Sequence, residues 1–320
     1  MKAAFVTAYG GPEVIEIKDT AKPAPKPGEV LVKIHAAAVT AGDARLRGLD
    51  VPAGFRLMVR LMFGWSRPRR PVMGWCFAGT VESLGEGVEN LAIGTSVMGL
   101  TGAQGGAHAE YAVVPKDRIV VMPEGLRMDE AASFFFGGLT AQNFLLGKAA
   151  LKRGEHVLIN GATGSVGSAA IVLAKSVGAR VTAVCSAQNS DLATGLGADV
   201  VLDYRKDKIE GPFDVVMDVI GTLQHKGAVP LLRPGGRLIL ITAGLGATIS
   251  AGLRPMKDGI RRIVGTSSEG REAMEDLVRC YLEGSYRPLV GKVLPFDDIR
   301  AAHAIASARH KPGNLVLRMV

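Results

Sequence analysis

One stretch constrains this chain more than any other: an apolar run that passes through a glycine turn into a small-residue helix start, Val157-Leu158-Ile159-Asn160-Gly161-Ala162-Thr163-Gly164-Ser165-Val166-Gly167. The order is that of a dinucleotide fingerprint, in which one glycine makes the turn, one lets backbone approach a pyrophosphate and one packs helix against strand. Ala162 takes the first glycine's place. The helix N-terminus then offers free N–H groups and the positive end of its dipole to phosphates, with the Ser165 hydroxyl as a further donor. Thr163, Gly164, Ser165, Val166 and Gly167 are therefore candidate cofactor contacts. The plainer alternative is a tight strand-to-helix turn with no ligand.

The surrounding pattern favours the ligand. After residue 150 strands are expected at His156 to Asn160, Arg180 to Cys185, Val200 to Leu202, Phe213 to Asp218 and Arg237 to Thr242. Helices are expected at Ser165 to Val177, around Leu192, and ending at the turn Pro234-Gly235-Gly236. Such alternation makes right-handed βαβ units and a doubly wound parallel sheet, here of six strands. About 20 residues past the glycines, where an NAD site carries an acid for the ribose hydroxyls, stands Cys185-Ser186-Ala187-Gln188-Asn189. An acid would repel a 2′-phosphate, whereas Ser186 and Asn189 can donate to it, so NADPH is expected over NADH. Polar caps on a strand end are the alternative, and Asp191 is close by.

The first third has another texture. Short strands at Val14 to Ile17, Val30 to Ile34 and Tyr111 to Val114 alternate with Gly- and Pro-rich turns, which reads as a twisted β-domain. A proline-free, Ala- and Phe-rich run from Asp129 to Leu146 reads as a long helix. After a helix near Met274 to Leu282 come a strand at Lys292 to Leu294, a helix at Asp297 to Ser307 and a strand at Asn314 to Leu317, a tail that can return to the first domain.

Length and composition fit two domains: 320 residues, 48% hydrophobic, 21% charged. Three dispersed cysteines exclude a disulfide framework and a paired C-x-x-C zinc ribbon, and fit a reducing cytoplasm. No apolar run reaches a membrane span and the start shows no secretory core, so no membrane partner is expected. The net charge of +8 is dispersed apart from Arg67, Arg69 and Arg70; a solvated surface explains it, and a nucleic-acid partner is disfavoured.

Five ordered segments now carry a resemblance over nearly the whole chain. They are Val39-Thr40-Ala41-Gly42-Asp43-Ala44-Arg45-Leu46-Arg47, Gly74-Trp75-Cys76-Phe77-Ala78-Gly79, Gly106-Ala107-His108-Ala109-Glu110-Tyr111, Gly138-Leu139-Thr140-Ala141, and the glycine loop. The chain resembles the zinc-independent medium-chain dehydrogenases/reductases of the quinone oxidoreductase and enone reductase branch. The resemblance implies a GroES-like catalytic domain from residues 1–122 and 286–320, a Rossmann domain from 123–285, and a cleft that binds NADPH. A zinc enzyme of this family needs His and Glu after Gly74 and a cysteine near position 40, where this chain has Trp75, Cys76 and Thr40; structural zinc needs four clustered cysteines, absent here. No zinc is expected.

By the same resemblance Thr40 stands where many relatives carry an Asn beside the nicotinamide, and is the candidate catalytic donor; a turn hydroxyl is the alternative. Asp43, Trp65 and Cys76 are expected around the substrate, Asp43 chiefly fixing backbone and Cys76 as an inert buried thiol. Thr140 and Tyr204 match cofactor-contacting positions. Ile220, Ile241 and Thr242 fall at strand ends facing the crevice, where walls for the nicotinamide are expected. His108 is left out of the mechanism. Leu57 to Trp65, followed by Arg67-Pro68-Arg69-Arg70, is either a mobile lip over the substrate pocket or a surface helix with a basic end.

The expected activity is hydride transfer from NADPH to a quinone or an α,β-unsaturated carbonyl, whose developing enolate or quinol oxygen needs hydrogen bonds and no Lewis acid. Alcohol or aldehyde oxidoreduction is the second reading. A nucleotide-binding regulatory or RNA-associated protein with little turnover is the third. Edge-strand pairing of the parallel sheet makes a homodimer the expected assembly.

Overall fold

A computed structural model describes residues 1–51, 54–223, 227–244, 259–308 and 311–319. The chain opens with an antiparallel pair, β1 (Lys2–Val6) and β2 (Ile15–Asp19). Five strands follow: β3 (Glu29–Val39), β4 (Cys76–Leu84), β5 (Ser96–Leu100), β6 (Tyr111–Pro115) and β7 (Ile119–Val121). Between β3 and β4 lie two eight-residue helices, α1 (Ala41–Gly48) and α2 (Arg56–Phe63). The helices α3 (Met128–Ala132) and α4 (Phe134–Ala141) then lead to a π-helical segment, Gln142–Lys148.

The parallel sheet is built from β8 (His156–Asn160), β9 (Arg180–Cys185), β10 (Val200–Asp203), β11 (Phe213–Asp218), β12 (Leu232–Leu240) and β13 (Arg261–Ile263), with α5 (Ser165–Ser176) after β8 and α6 (Ser190–Gly195) after β9. Its order, β10-β9-β8-β11-β12-β13, reverses direction between β8 and β11. That switch point opens a crevice beyond the carboxyl ends of the strands. The chain closes with α7 (Arg271–Leu282), β14 (Val290–Pro295), α8 (Ile299–Ala308) and β15 (Asn314–Arg318). Both late strands join the early ones in a seven-stranded sheet of order β14-β15-β3-β4-β5-β7, with β6 on β3. Thus GroES-like and Rossmann layers are both present, as the sequence led us to expect.

Two elements differ from the sequence reading. The run from Asp129 to Leu146 is not one helix: the Ser133 hydroxyl donates to the Asp129 carbonyl, the chain breaks there, and the last turns widen into the π form, with the Ala149 N–H reaching the Phe144 carbonyl. Hydroxyls that turn back on the preceding carbonyls weaken an α-helical ladder. Pro234-Gly235-Gly236 does not end a helix. A 3-10 turn at Val229–Leu231 comes earlier, residues 224–226 lie outside the described residues, and the three sit inside β12. There the register shifts from Leu232 opposite Phe213 to Arg237 opposite Val215, a bulge that a proline without an N–H and Gly235 at φ +75° can occupy.

The fully buried Phe134, Phe135, Phe144, Leu145, Val157, Ile159 and Ala170 form a core that runs from α4 through α5 to the parallel sheet. Packing is closest at glycines. A Cβ on Gly137 would lie 2.2 Å from the Ser165 carbonyl oxygen, and one on Gly167 would lie 2.2 Å from the Gly161 oxygen. These two contacts press α4 and the loop onto the start of α5.

Candidate active site

The crevice collects the ends of five strands. Gly161, at φ +82°, turns the chain out of β8, and a Cβ there would strike Ile220 Cγ2 at 2.6 Å. Ile220 follows β11 and is partly exposed at the crevice; Ile241 and Thr242 follow β12 on the same side. Gly164 caps α5 with no side-chain bond to its first turn, which leaves those N–H groups for ligand oxygens. Internal packing makes no demand for glycine at 164, since a Cβ would meet only the Gly161 oxygen at 3.7 Å. What a Cβ would fill is the space before the loop, as a pyrophosphate cradle requires.

On the adenosine side Asn189 Nδ2 donates to Thr163 Oγ1 at 3.2 Å, Ser186 lies at the end of β9, and the Tyr204 N–H reaches the Cys185 carbonyl. Arg205 stands over the Tyr204 ring, 5.3 Å from its centroid. Asp203 is engaged by the Arg205 N–H. Val166 and Gly167 form the first turn of α5. Thus the cofactor candidates Thr163, Gly164, Ser165, Val166, Gly167, Ser186, Asn189, Tyr204, Ile220, Ile241 and Thr242 line one side of the parallel sheet.

The loop is stitched to the other half of the chain. Ser165 Oγ donates to Asn314 Oδ1 at 2.5 Å, and the Gly313 N–H reaches the Thr163 carbonyl at 2.8 Å. Two residues before Gly313 stands Lys311, whose ammonium donates to the Gly313 carbonyl at 3.0 Å and feels the charge of Asp43. Burial lowers its pKa to about 8, against the attraction of Asp43. A lysine in the turn before the last strand carries no local sequence signal for this; it reaches the site only through long-range pairing of β15 with β3.

Thr40 and Asp43 form the opposite corner. The Thr40 hydroxyl donates to Asp43 Oδ2 at 2.6 Å and accepts from the Asp43 N–H, while the Thr40 N–H donates to the same carboxylate. Asp43 Oδ1 takes the Gly74 N–H at 3.1 Å. This is a capping box for α1 that also pins the segment before β4. The arrangement amends two expectations. Thr40's hydrogen is committed to Asp43, so it holds α1, and Asp43, fully buried, fixes backbone and lines neither of the two cavities described next.

Two cavities meet at Trp75. The inner one, about 240 Å³, is lined by Trp75, Cys76, Phe136, Thr140, Ser267 and Glu269 among others. The outer one, about 350 Å³, lies under α2 and is lined by Met62, Phe63, Arg69, Arg70, Met73 and Trp75 among others. Trp65, expected at the substrate, lies in neither and is largely exposed: the turn at Gly64 carries it outward, and the tryptophan between the cavities is Trp75. A Cβ on Gly42 would touch that indole at 2.2 Å, so α1 sets its position. Cys76 does line the inner cavity, and burial pushes its thiol well above the ordinary range. Thr140 Oγ1 donates to the Phe136 carbonyl at its rim. His108 is buried, 3.1 Å from the Ala38 carbonyl and edge-on to His303. Among the described residues no three His, Cys, Asp or Glu side chains converge into a group that could hold a metal ion.

Comparison with known proteins places this architecture. Residues 26–124 match the model described as an alcohol dehydrogenase GroES-like domain, and residues 196–317 the one described as a zinc-binding dehydrogenase. The chain is 31% identical to a quinone oxidoreductase of Sus scrofa over 99% of this chain and 97% of that one. It is 30% identical to a 2-methylene-furan-3-one reductase of Solanum lycopersicum, over the whole of this chain and 79% of the other. The solved quinone oxidoreductase from Coxiella burnetii superposes with a TM-score of 0.87 at 28% identity, covering 99% of each chain. A strand-end crevice with a glycine loop, a sheet completed by both chain ends and relatives that align end to end lead to one conclusion: the chain is an oxidoreductase of the medium-chain dehydrogenase/reductase family.

Proposed function

We propose that the protein reduces quinones or α,β-unsaturated carbonyls with NADPH and without zinc. The observation that carries this reading is the inner cavity, which brings Thr140 and Phe136 of the nucleotide half against Trp75 and Cys76 of the catalytic half, with no metal-binding triad among its described lining. In this reading residues 1–122 and 286–320 act as the catalytic unit and 123–285 as the nucleotide unit. Bound NADPH supplies a hydride.

The chain's own residues do the rest. The open first turn of α5 holds the pyrophosphate, with the Lys311 ammonium beside it for charge. Ser186, Asn189 and Arg205 supply donors for a 2′-phosphate, and no acid of the ribose-binding kind stands at the end of β9, which favours NADPH over NADH. Ile220, Ile241 and Thr242 wall the nicotinamide side, and Thr140 sits at the junction with the cavity. Trp75 and Phe136 exclude water and orient a flat acceptor within reach of the cofactor; orientation of that kind accounts for much of the rate in hydride transfer. Thr40 acts as a positioning residue through Asp43 and Gly74, which hold the backbone beside Trp75. Glu269, which lines the inner cavity, is paired with Arg118 at 3.7 Å, and in this reading the acceptor's proton comes from water.

Steady-state oxidation of NADPH with a panel of quinones, enones and saturated aldehydes, with NADH in parallel, tests the reading. Turnover is expected on the conjugated acceptors with NADPH preferred. Turnover confined to saturated aldehydes or ketones, enhanced by added zinc and lost to a chelator, would overturn it.

A further inference from the structure

The helix α2 faces the wrong way for a soluble protein. Val59, Arg60 and Phe63 turn partly inward, while Leu57, Met58, Leu61 and Met62, at the i, i+1, i+4, i+5 spacing of one helical face, are 44–61% exposed. Trp65, just past the end of the helix, is 61% exposed as well. Five large apolar side chains so close together on a surface mark a contact with something.

The charge around them says with what. From Val51 to Val81 the sequence contains Arg56, Arg60, Arg67, Arg69 and Arg70 and no Asp or Glu. Four of these arginines are exposed, and Arg60 stands over the Trp65 ring at 5.7 Å. The occupant must therefore be apolar at its centre and anionic around it. A second copy of the chain fits poorly, because a two-fold contact would set one arginine cluster against the other. A grooved acidic protein would need to envelop the helix, yet α2 is fastened to the body. Tyr9 Oη donates to the Gly64 carbonyl at 2.8 Å, the Arg69 N–H to the Phe63 carbonyl at 2.7 Å, and Arg70 to Gln104 Oε1 at 2.8 Å. What remains on offer is one flat strip.

We propose that α2 and the following Trp65–Arg70 segment seat the protein on the surface of an anionic lipid bilayer, with the leucines, methionines and Trp65 at the boundary of headgroups and acyl chains and the arginines among the phosphates. No helix among the described residues is long and apolar enough to cross a membrane. Lying on one is a different state, which the absence of a spanning run in the sequence does not address. The outer cavity opens beneath the same helix through Met62, Phe63, Arg69 and Arg70, so a lipid-dissolved acceptor would meet its entrance directly. That last point rests on the function proposed above; the docking does not.

Co-sedimentation of the full chain with vesicles tests it without cofactor or turnover. The protein is expected to bind phosphatidylcholine vesicles containing phosphatidylserine at least about tenfold more tightly than pure phosphatidylcholine, to release in high salt, and to show a blue-shifted tryptophan emission when bound. The pair Leu57→Glu/Leu61→Glu, both outside the cavities, should lower binding about tenfold or more with melting temperature and NADPH affinity unchanged; Arg56→Gln/Arg67→Gln should lower it severalfold and flatten the salt dependence. Failure of the native chain to bind phosphatidylserine vesicles overturns the proposal. So does a leucine variant that binds like the native chain, one that instead dissociates a dimer, or a native chain that captures polyglutamate but not vesicles.

Discussion

The two walls of the cleft are built by different means. The nucleotide wall is backbone: strand ends, a glycine loop and the start of a helix, placed by sheet order and held by contacts too close for any Cβ. The wall proposed for the acceptor is side chain: an indole positioned by Gly42 and a carboxylate that gathers three hydrogen bonds. A backbone wall should fail all at once when its spacing is violated, and a side-chain wall should fail by degrees.

The largest effect should follow from Gly167→Val. Its Cβ would sit 2.2 Å from the Gly161 oxygen and 2.7 Å from Ala162 Cα, neither of which can yield without moving β8. Overpacking of this kind costs about 3 kcal/mol or more. NADPH affinity and thermal stability should collapse together, as calorimetry and a melting curve would show; a variant that melts normally and binds NADPH would mean that the wall is softer than its geometry implies.

Asp43→Ala should come next. It strands the Thr40 and Gly74 N–H groups in a buried corner, at about 1–3 kcal/mol for each donor left unpaired. Activity should fall mainly through KM for the acceptor, since Trp75 loses its footing on α1, while NADPH affinity changes little. An equal loss of both affinities would erase the distinction between the walls.

The smallest effect concerns Lys311. With its pKa lowered from the ordinary 10.5 to about 8, the unfolded chain holds this proton more tightly between those values, so the lysine's contribution to stability rises as pH climbs from about 8 towards 10.5. Cofactor binding should show the opposite slope, because the ammonium proposed to stand beside the phosphates is lost over the same range. NADPH affinity is expected to weaken severalfold above pH 8 and to become flat in Lys311→Met. An unchanged slope in the variant would remove Lys311 from the nucleotide wall.

The same contrast explains what could be read beforehand. The strand ends and glycine loop proposed as the nucleotide wall are legible because they are local: Gly161 through Gly167 stand in one run, and Ile220, Ile241 and Thr242 follow recognisable strands. The acceptor wall depends on which indole the fold turns inward, and Trp65 and Trp75 look alike in a sequence. Thr40 and Asp43 stand three residues apart in one segment, but the direction of the hydroxyl proton, which makes Thr40 a helix cap, is visible only with the carboxylate in place. Lys311 shows the limit most plainly, as a residue that acquires its setting from a strand pairing across the whole chain.

The position of β15 has a further consequence for how the protein is made. It lies between β14 and β3, and the Gly313-Asn314 pair at its start also grips the glycine loop. The sheet that residues 29–39 begin therefore lacks one of its inner strands until residues 314–318 have been made. Until then the edge of β3 from Ala36 to Val39, apolar throughout, waits without its partner. A chain halted before β15 would expose that edge to its neighbours, so β15 acts as the cover of a strand made about 275 residues earlier.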